Sequence, residues 1–370
     1  MKRSNPLRHV LAMLLLAGTT VADDALATSY RIVELPLPAQ LANGSAGSIN
    51  AAGDVVGYAT DRDFQVSVAA IWKAPDYAPR VLPKGTATGG TNAVRINDSG
   101  NIVGYGSFPD ATQSWDAVMW KRDGELVRLG MWPSGPTNSA VATVGDINNR
   151  NVIVGTVTGK RAARPAIWPT PQAVHWLGSA NGDLVSGEAY AANDSGVVVG
   201  RLWVAGGGFR AVRWTANGSM QELGDLPGGN ENSNAVGVNA SGQIIGSGNS
   251  DRGMRAVLWN SDGSMLDLGE LPDGENLGYT GIGINDLGEA VGSAYNFETG
   301  MTQAFLWAAG TGMVRVADLV DPLDPLHGLL ESGATIYVYD INDAGVMVGI
   351  LETTGPRSTS QVPIVLMPQP

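Results

Sequence analysis

The sequence predicts an all-β fold, a seven-bladed β-propeller of four-stranded antiparallel blades. Three observations predict it. An Asn-x-x-Gly-x-x-x-Gly skeleton recurs seven times, an apolar segment ending on tryptophan follows six of the copies, and the last repeat lacks one segment that the start of the mature chain resembles. Repeats spaced by 45 to 57 residues are typical of propellers. The motif asparagines are Asn50, Asn97, Asn148, Asn193, Asn239, Asn285 and Asn342.

Each motif asparagine marks a hairpin turn between the first two strands of a repeat, strands a and b. The pairs between the two glycines are β-branched or aliphatic, as in residues 55–56, which favours strands. Residues 97–100 fit a type I turn with glycine in the left-handed conformation. Asn151 replaces that glycine in the third repeat, and asparagine tolerates this conformation. We expect each motif asparagine to bond the backbone of its own turn rather than a ligand.

A tryptophan closes the third strand, strand c, about 20 to 23 residues after the asparagine, and we expect it to pack in the core. An Asp-Gly or Asn-Gly pair then usually turns the chain into a short strand d that ends in Leu-Gly, as in residues 221–224. Four strands per repeat are typical of a propeller blade. The tryptophans are Trp72, Trp120, Trp168, Trp214, Trp259 and Trp307.

The two ends of the mature chain predict how the ring closes. The seventh repeat holds strand a (336–342), strand b (346–350) and strand c (362–367), but no strand d. Residues 30–35 resemble the other d strands. We therefore expect one domain, residues 28–370, in which the N-terminal strand completes the last blade and removes an exposed sheet edge.

Residues 1–27 have the pattern of a Sec-type signal peptide. Three basic residues precede an apolar run at 10–17, and small residues suit cleavage after Ala22 or Ala27. An apolar run of this length is too short to span a bilayer, which needs about 20 residues. We expect a secreted or periplasmic protein without membrane insertion. The chain contains no cysteine, which excludes disulfides and thiolate metal sites.

The charge balance is acidic. The full chain has a formal net charge of −12, and the predicted signal peptide removes three basic and two acidic residues, which leaves −13. Nucleic acids need clusters of Lys and Arg for their phosphates, and none is found. We therefore expect no nucleic-acid partner, and we expect a monomer that binds a carbohydrate or a protein.

The repeats resemble the HAF-repeat family of exported bacterial proteins. Residues 303–307 (Gln-Ala-Phe-Leu-Trp) resemble the family's His-Ala-Phe-Leu-Trp box, and residues 265–269 resemble its Met-x-Asp-Leu-Gly segment. The resemblance covers nearly all of the mature chain and implies export, but no activity. The histidine of the box is absent, so no role can be transferred to it. Five copies carry Asp116, Pro165, Arg210, Arg255 and Gln303 at that place.

Strand order predicts which face binds ligands. The a–b and c–d turns share one face and are short, whereas the b–c and d–a loops share the other and vary between repeats, as functional loops do. We expect a site there, around the mouth of the central channel, built from aromatic and acidic residues. The candidates are Trp115, Trp132, Trp203, Phe209, Asp225, Glu231, Asp273, Glu275, Tyr295 and Phe297, with Phe108 in the same b–c loop as Trp115.

Two linkers carry oxygen ligands of the kind that Ca²⁺ prefers, but they lack the alternating carboxylate spacing of a calcium loop. Asp225, Asn230 and Glu231 belong to one, and Asp273, Glu275 and Asn276 to the next. Solvated charge is the simpler interpretation. His175 and His327 are isolated, and neither belongs to a catalytic motif. We therefore predict no metal site, no cofactor and no catalytic residue.

Two functions remain open. The first is non-enzymatic binding of a carbohydrate or protein on the b–c and d–a face. The second is a glycosidase or lyase with carboxylates converging at the channel, for which Asp146, Glu188 and Asp340 on strand a are the candidates. The absence of a catalytic motif favours binding. Facing carboxylates from different blades in a solvent-open pocket would favour an enzyme.

Overall fold

The strands form seven antiparallel sheets of four strands each in a computed structural model that describes residues 29–109, 115–130, 141–158, 162–179, 186–204, 207–272, 277–354 and 359–369. The innermost strand of every sheet, strand a, contacts the innermost strand of both neighbouring sheets, and that of blade 1 contacts that of blade 7. The sheets therefore surround one axis as a closed seven-bladed propeller, as the repeats predict. The signal peptide predicted for residues 1–27 lies outside the described residues.

The strands follow the chain in the order a, b, c, d within each blade. The first, β1 (Ser29–Glu34), belongs to the last blade. Blades 1 to 3 contain β2 (Asn43–Ile49), β3 (Val55–Thr60), β4 (Ser67–Trp72) and β5 (Pro79–Val81); β6 (Thr91–Ile96), β7 (Ile102–Gly106), β8 (Asp116–Trp120) and β9 (Leu126–Arg128); and β10 (Val141–Ile147), β11 (Ile153–Thr158), β12 (Ala163–Thr170) and β13 (Ala173–Trp176).

The remaining blades repeat this order. Blades 4 and 5 contain β14 (Gly187–Ala192), β15 (Val198–Trp203), β16 (Phe209–Trp214) and β17 (Met220–Glu222); and β18 (Gly228–Val238), β19 (Ile244–Ser250), β20 (Gly253–Trp259) and β21 (Met265–Asp267). Blades 6 and 7 contain β22 (Leu277–Ile284), β23 (Ala290–Asn296), β24 (Thr302–Ala308) and β25 (Gly312–Arg315); and β26 (Thr335–Ile341), β27 (Met347–Thr354), β28 (Thr359–Gln369) and the returning β1.

The N-terminal strand closes the ring as predicted. Strand β1 pairs with β28 along its whole length, from Ser29 opposite Gln369 to Glu34 opposite Ile364. The Asp324 carboxylate accepts a 2.8 Å hydrogen bond from the Ile32 N–H and so attaches β1 to the linker before β26. This pairing covers the edge of β28 that would otherwise be exposed.

The first motif glycine takes the left-handed conformation in every a–b turn that has one, with φ between 70° and 86°. Asn151 occupies the same place in blade 3 with a φ of 63°. The prediction that asparagine substitutes for glycine here is confirmed. An asparagine is accepted because its short polar side chain tolerates this region of backbone space.

The second motif glycine faces a β-bulge that interrupts strand a in all seven blades. The bulge brings a strand-a carbonyl oxygen against the glycine Cα. A Cβ at Gly57 would lie 1.8 Å from the Ser45 oxygen, and one at Gly246 would lie 1.9 Å from the Asn234 oxygen. This distance is far below van der Waals contact, so only glycine fits, a requirement that the spacing alone does not reveal.

The tryptophans that close strand c are buried, as predicted, and four of them also join neighbouring blades. The Nε1 of each donates to a backbone oxygen of the linker that follows strand d of the preceding blade. The four bonds are Trp72 to Pro36 (2.7 Å), Trp120 to Pro83 (2.6 Å), Trp168 to Gly130 (2.8 Å) and Trp214 to Gly178 (2.8 Å).

The structure departs from the prediction in small elements. The linker between blades 6 and 7 forms a 3-10 turn at Val316–Leu319 and a short helix α1 (His327–Glu331), where no helix was expected. The d strands end before the predicted Leu-Gly pair, because Gly224 and Gly269 have φ of 82° and 86°, which breaks the ladder. No helix in the described part of the chain is long and apolar enough to cross a membrane.

Candidate functional site

The motif asparagines form a closed ring of hydrogen bonds at the a–b end of the channel. The Oδ1 of each accepts the backbone N–H four residues on, which confirms the predicted bond within the turn. The Nδ2 of each donates to the backbone oxygen of the motif asparagine in the next blade, over 2.8 to 3.3 Å, and Asn342 returns to Asn50. The asparagines therefore join the blades to one another.

A second ring of contacts surrounds the first. Where the residue after the motif asparagine is Asp or Asn, its Oδ1 accepts a backbone N–H from the preceding blade. Ala51 and Ala240 stand at this position in the other two blades and interrupt the ring. A depression of about 210 Å³ at this end is lined by these turns. Its amides and carboxylates already bond neighbouring blades, which supports the expectation that this face is structural. The acceptors are Asp98, Asn149, Asp194, Asp286 and Asp343.

Polar side chains enter the channel just after the bulge, in four consecutive blades only. Blades 7, 1, 2 and 3 place Asp340, Ser48, Arg95 and Asp146 there, whereas the other three have alanine or glycine. The Asp340 Oδ2 accepts the Ser48 hydroxyl at 2.9 Å and the backbone N–H of the next residue, 49, at 3.1 Å. At the level of the bulge the channel is therefore polar on one side only.

The two aspartates predicted for the enzyme alternative do lie at the axis. Asp146 resembles Asp340 in its bonding, since its Oδ2 accepts the Ala192 N–H of the next blade at 3.1 Å. Burial raises the pKa of both carboxyls, and the positive charge of Arg95 partly opposes this. Among the described residues, neither aspartate forms an ion pair with Arg95 within 4.0 Å. Both carboxylates thus join blades.

A cavity of about 340 Å³ lies on the axis, in the half of the channel toward the b–c and d–a loops. Its position follows from the pairing of Ser45 with Tyr58 and of Asn92 with Tyr105, both toward the start of strand a. The lining residues are Ser45, Gly47, Gly57, Tyr58, Asn92, Ala93, Val94, Arg95, Tyr105, Ile282 and Tyr339.

The three tyrosines of this cavity are held differently. The Tyr105 hydroxyl donates to the Val144 oxygen at 3.1 Å and accepts the Val144 N–H at 3.0 Å, so it joins blades 2 and 3. The hydroxyls of Tyr58 and Tyr339 have no hydrogen-bond partner in the described ranges. Burial, and then the nearby Tyr58, Tyr337 and Glu352, raise the pKa of Tyr339 to about 12. Tyr339 therefore stays protonated at neutral pH and can donate a hydrogen bond.

Glu188, the third candidate carboxylate, lies in an ion pair. Its Oε2 is 2.7 Å from Arg201 Nη2 and also accepts the Tyr190 hydroxyl. Burial and the bond to Glu188 raise the pKa of Tyr190. The Arg201 guanidinium in turn stacks on the Phe209 ring, 3.8 Å from its centroid. This cluster connects the channel wall to the loop face.

Four of the aromatic candidates form two edge-on pairs at the rim, in which Phe209 is half-buried and the other three side chains are exposed. Trp203 meets Phe209 edge-on at 5.0 Å, and Tyr295 meets Phe297 edge-on at 5.1 Å. Trp203 and Phe297 are 54% and 68% exposed. Trp203 and Tyr295 lie at the ends of b strands rather than in the loops, because strands β15 and β23 extend further than the pattern indicated.

Other candidates are occupied by packing. Phe108 is buried with the Arg128 guanidinium 4.4 Å from its ring centroid, so the expectation that it is a loop-face contact is wrong. Trp115 is half-buried against Gly90, where a Cβ would come within 2.8 Å of its ring.

The acidic linker residues do not converge. Asp225 accepts the backbone N–H groups of Leu226 and Asn232, while Glu231 pairs with Arg210. In the described ranges, no three His, Cys, Asp or Glu side chains gather in a way that could hold a metal ion. Trp132, Asp273 and Glu275 lie outside the described residues.

The sequence analysis missed Tyr58, Tyr105, Tyr339 and Arg95, which line the cavity. A signal was present, because the residue after the second motif glycine is tyrosine in the first two repeats only. These residues stand at positions where otherwise regular repeats differ from one another, and not in the irregular loops.

No family model matches the chain, and no curated protein matches it. Solved structures of similar fold include an oligogalacturonate lyase in complex with manganese, at 10% identity and a TM-score of 0.56, covering 93% of this chain and 95% of that one. A puromycin hydrolase matches at 15% identity and a TM-score of 0.50, over 87% of this chain. The chain spans about half (53%) of that hydrolase. At these identities the similarity shows the propeller fold alone.

Proposed function

We propose that this protein is an exported, non-enzymatic propeller that binds a carbohydrate in the axial cavity. The observation that carries the proposal is the lining of that cavity, where the hydroxyls of Tyr58 and Tyr339, which have no hydrogen-bond partner among the described residues, lie with Asn92, whose Oδ1 accepts the Ser67 hydroxyl. Sugars combine apolar ring faces with hydroxyl groups. Concave sites that recognise such molecules pair aromatic walls with a few polar groups.

The bonding of the channel carboxylates favours binding over catalysis. Glycoside hydrolysis needs two carboxyl groups about 5 to 9.5 Å apart, one of which transfers a proton to the leaving group. Asp146 and Asp340 instead accept backbone N–H bonds from the next blade, and Glu188 pairs with Arg201. A group that holds two blades together is poorly placed to exchange protons with a substrate.

A protein ligand on the rim is the second candidate, and one observation favours it. Exposed large apolar side chains occur in small groups on the b–c side of blades 1, 4 and 6, and exposed apolar patches often mark a protein contact. These side chains are Phe64, Val66, Trp203, Tyr295, Phe297 and Met301.

We further propose, from the repeat motifs, that the chain is a member of the HAF-repeat family.

The test is a glycan array with the protein beginning at residue 28, followed by titration calorimetry of the strongest ligand. Tyr339→Ala removes a cavity wall and a hydroxyl donor, so we expect an affinity loss of at least about tenfold, since an aromatic contact and a hydrogen bond each contribute about 0.5 to 1.5 kcal/mol and about 1.4 kcal/mol is tenfold. Trp203→Ala, on the rim, is the matched control and should change the affinity less than about twofold.

Three results would count against the proposal. An array on which no glycan binds the protein would contradict the proposal that the ligand is a carbohydrate. Loss of binding in Trp203→Ala but not in Tyr339→Ala would move the site to the rim and favour the second candidate. Appearance of shortened or unsaturated sugars during incubation would show an enzyme.

A further inference from the structure

Arg95 holds a guanidinium in the axial cavity with one edge uncommitted. Its Nη1 donates to the Gly47 and Val94 backbone oxygens, each at 3.1 Å. These two bonds use both Nη1 hydrogens. Among the described residues, Nε and Nη2 have no acceptor within hydrogen-bond distance. Because the Nη1 side is anchored to backbone, the orientation of the free edge is set by the fold.

The fold itself does not require an arginine at this position. The equivalent residues of the other blades, just after the bulge, are serine, alanine, two glycines and two aspartates. All seven blades nevertheless have the same four-stranded pairing. A half-buried cation loses part of its hydration, which costs free energy unless a partner replaces the water. A function is therefore a better explanation of Arg95 than packing.

The charges of the two nearby acids, Asp146 and Asp340, attract Arg95, but among the described residues neither carboxylate hydrogen-bonds its guanidinium. Asp340 accepts three hydrogen bonds, from the Ser48 hydroxyl and from the N–H groups of residues 49 and 341. Asp146 accepts two, from residues 147 and 192. Their charge is thus distributed over backbone dipoles, and neither lies within 4.0 Å of the guanidinium in the described structure. Among the described residues that line the cavity, Arg95 is the one cation.

We infer that the axial cavity selects a sugar that carries a carboxylate, and that the Nε and Nη2 edge of Arg95 binds its two oxygens. This inference rests on the proposed carbohydrate site. The Nε–H and one Nη2–H point the same way and match the two oxygens of a carboxylate, whereas a sugar hydroxyl presents a single oxygen and cannot form two parallel bonds. The walls formed by Tyr58 and Tyr339 then contact the ring of the same sugar.

The experiment is calorimetric titration of the whole mature protein with two disaccharides that differ only in oxidation of C6 to a carboxylate. The native protein should bind the acid roughly 10- to 100-fold more tightly, the range expected for hydrogen bonds to a charged group. Arg95→Gln should remove this preference, so that the variant binds the acid and the neutral sugar with equal affinity. Arg95→Lys keeps a positive charge but loses the planar guanidinium with its two parallel donors, so it should keep only part of the preference for the acid.

The outcomes separate the two proposals. Equal affinity of the native protein for both sugars overturns the carboxylate inference but leaves the carbohydrate site standing, whereas binding of neither sugar, with a silent array, removes the site itself. A preference that survives in Arg95→Gln overturns the role of Arg95. If that variant does not fold by circular dichroism, the preference of the native protein still decides whether a carboxylate is selected.

Discussion

The two glycines of each motif are needed for different physical reasons. The first adopts positive φ in the a–b turn, and Asn151 can replace it. The second has no such φ, but it faces a carbonyl oxygen pushed toward it by the bulge. A regular eight-residue pattern thus combines a turn requirement with a steric one.

We predict that Gly246→Ala destabilises the protein by more than about 4 kcal/mol or prevents folding, because a Cβ would lie 1.9 Å from the Asn234 oxygen. Gly263→Ala is the control: its φ is 89°, but no atom lies within 4 Å of the added Cβ, so we expect a loss of only about 1 to 2 kcal/mol. The measurement is urea denaturation. Equal losses in the two variants would contradict the steric explanation.

At the scale of the elements, four of the tryptophans that close strand c both fill the core and hydrogen-bond the preceding blade. Trp168 fills its blade and also donates to the Gly130 oxygen of the preceding blade. The Nε1 of Trp259 is buried without an acceptor among the described residues. The same side chain therefore occurs with and without the blade-to-blade bond.

We expect Trp168→Phe to cost about 1 to 3 kcal/mol more than Trp259→Phe. Both changes remove similar volume, but only the first leaves a carbonyl without its donor. The comparison requires the free energy of unfolding of each variant. If both lose the same amount, the bond to Gly130 contributes nothing measurable.

Elements governed by local chemistry could be predicted from the sequence. The hairpins follow from turn residues such as those at 97–100, and the closing strand follows from its resemblance to other d strands. The candidate site could be predicted only as a face. Tyr58, Arg95 and Tyr339 belong to three blades and meet only once the ring closes, while Phe108 is buried in the apolar core between blades 1 and 2, with Arg128 over its ring.

At the scale of the whole molecule, side chains near the axis hold the ring together. The asparagine ring joins all seven blades, and Asp340 joins blade 7 to blade 1 beside the channel. The closing strand β1 joins the ends of the described chain at the outer edge of the same blade. The ring is therefore closed near the axis by side-chain hydrogen bonds and at its outer edge by the pairing of β1 with β28.

Asp340 should make ring stability depend on pH. Burial raises its pKa above the ordinary value of 3.8, so the folded state binds the proton more tightly than the unfolded chain. The contribution of Asp340 is therefore greatest at and below about pH 3.8 and declines as pH rises through the folded pKa. Relative to Asp340→Asn, which does not titrate, the native protein should lose stability over this window.

The measurement is the free energy of unfolding of both proteins from pH 4 to pH 7. The difference between them should shift in favour of Asp340→Asn as pH rises. A difference that is constant, or that shifts the other way, would show that the carboxyl does not have a raised pKa in the folded ring.

The central claim is that a sugar occupies the axial cavity, and a crystal structure of the mature protein soaked with the strongest array ligand tests it most directly. We predict electron density for a sugar ring between Tyr58 and Tyr339, close to the free edge of Arg95. Density confined to the rim, beside Trp203 and Phe209, with the cavity filled only by water, would contradict the claim.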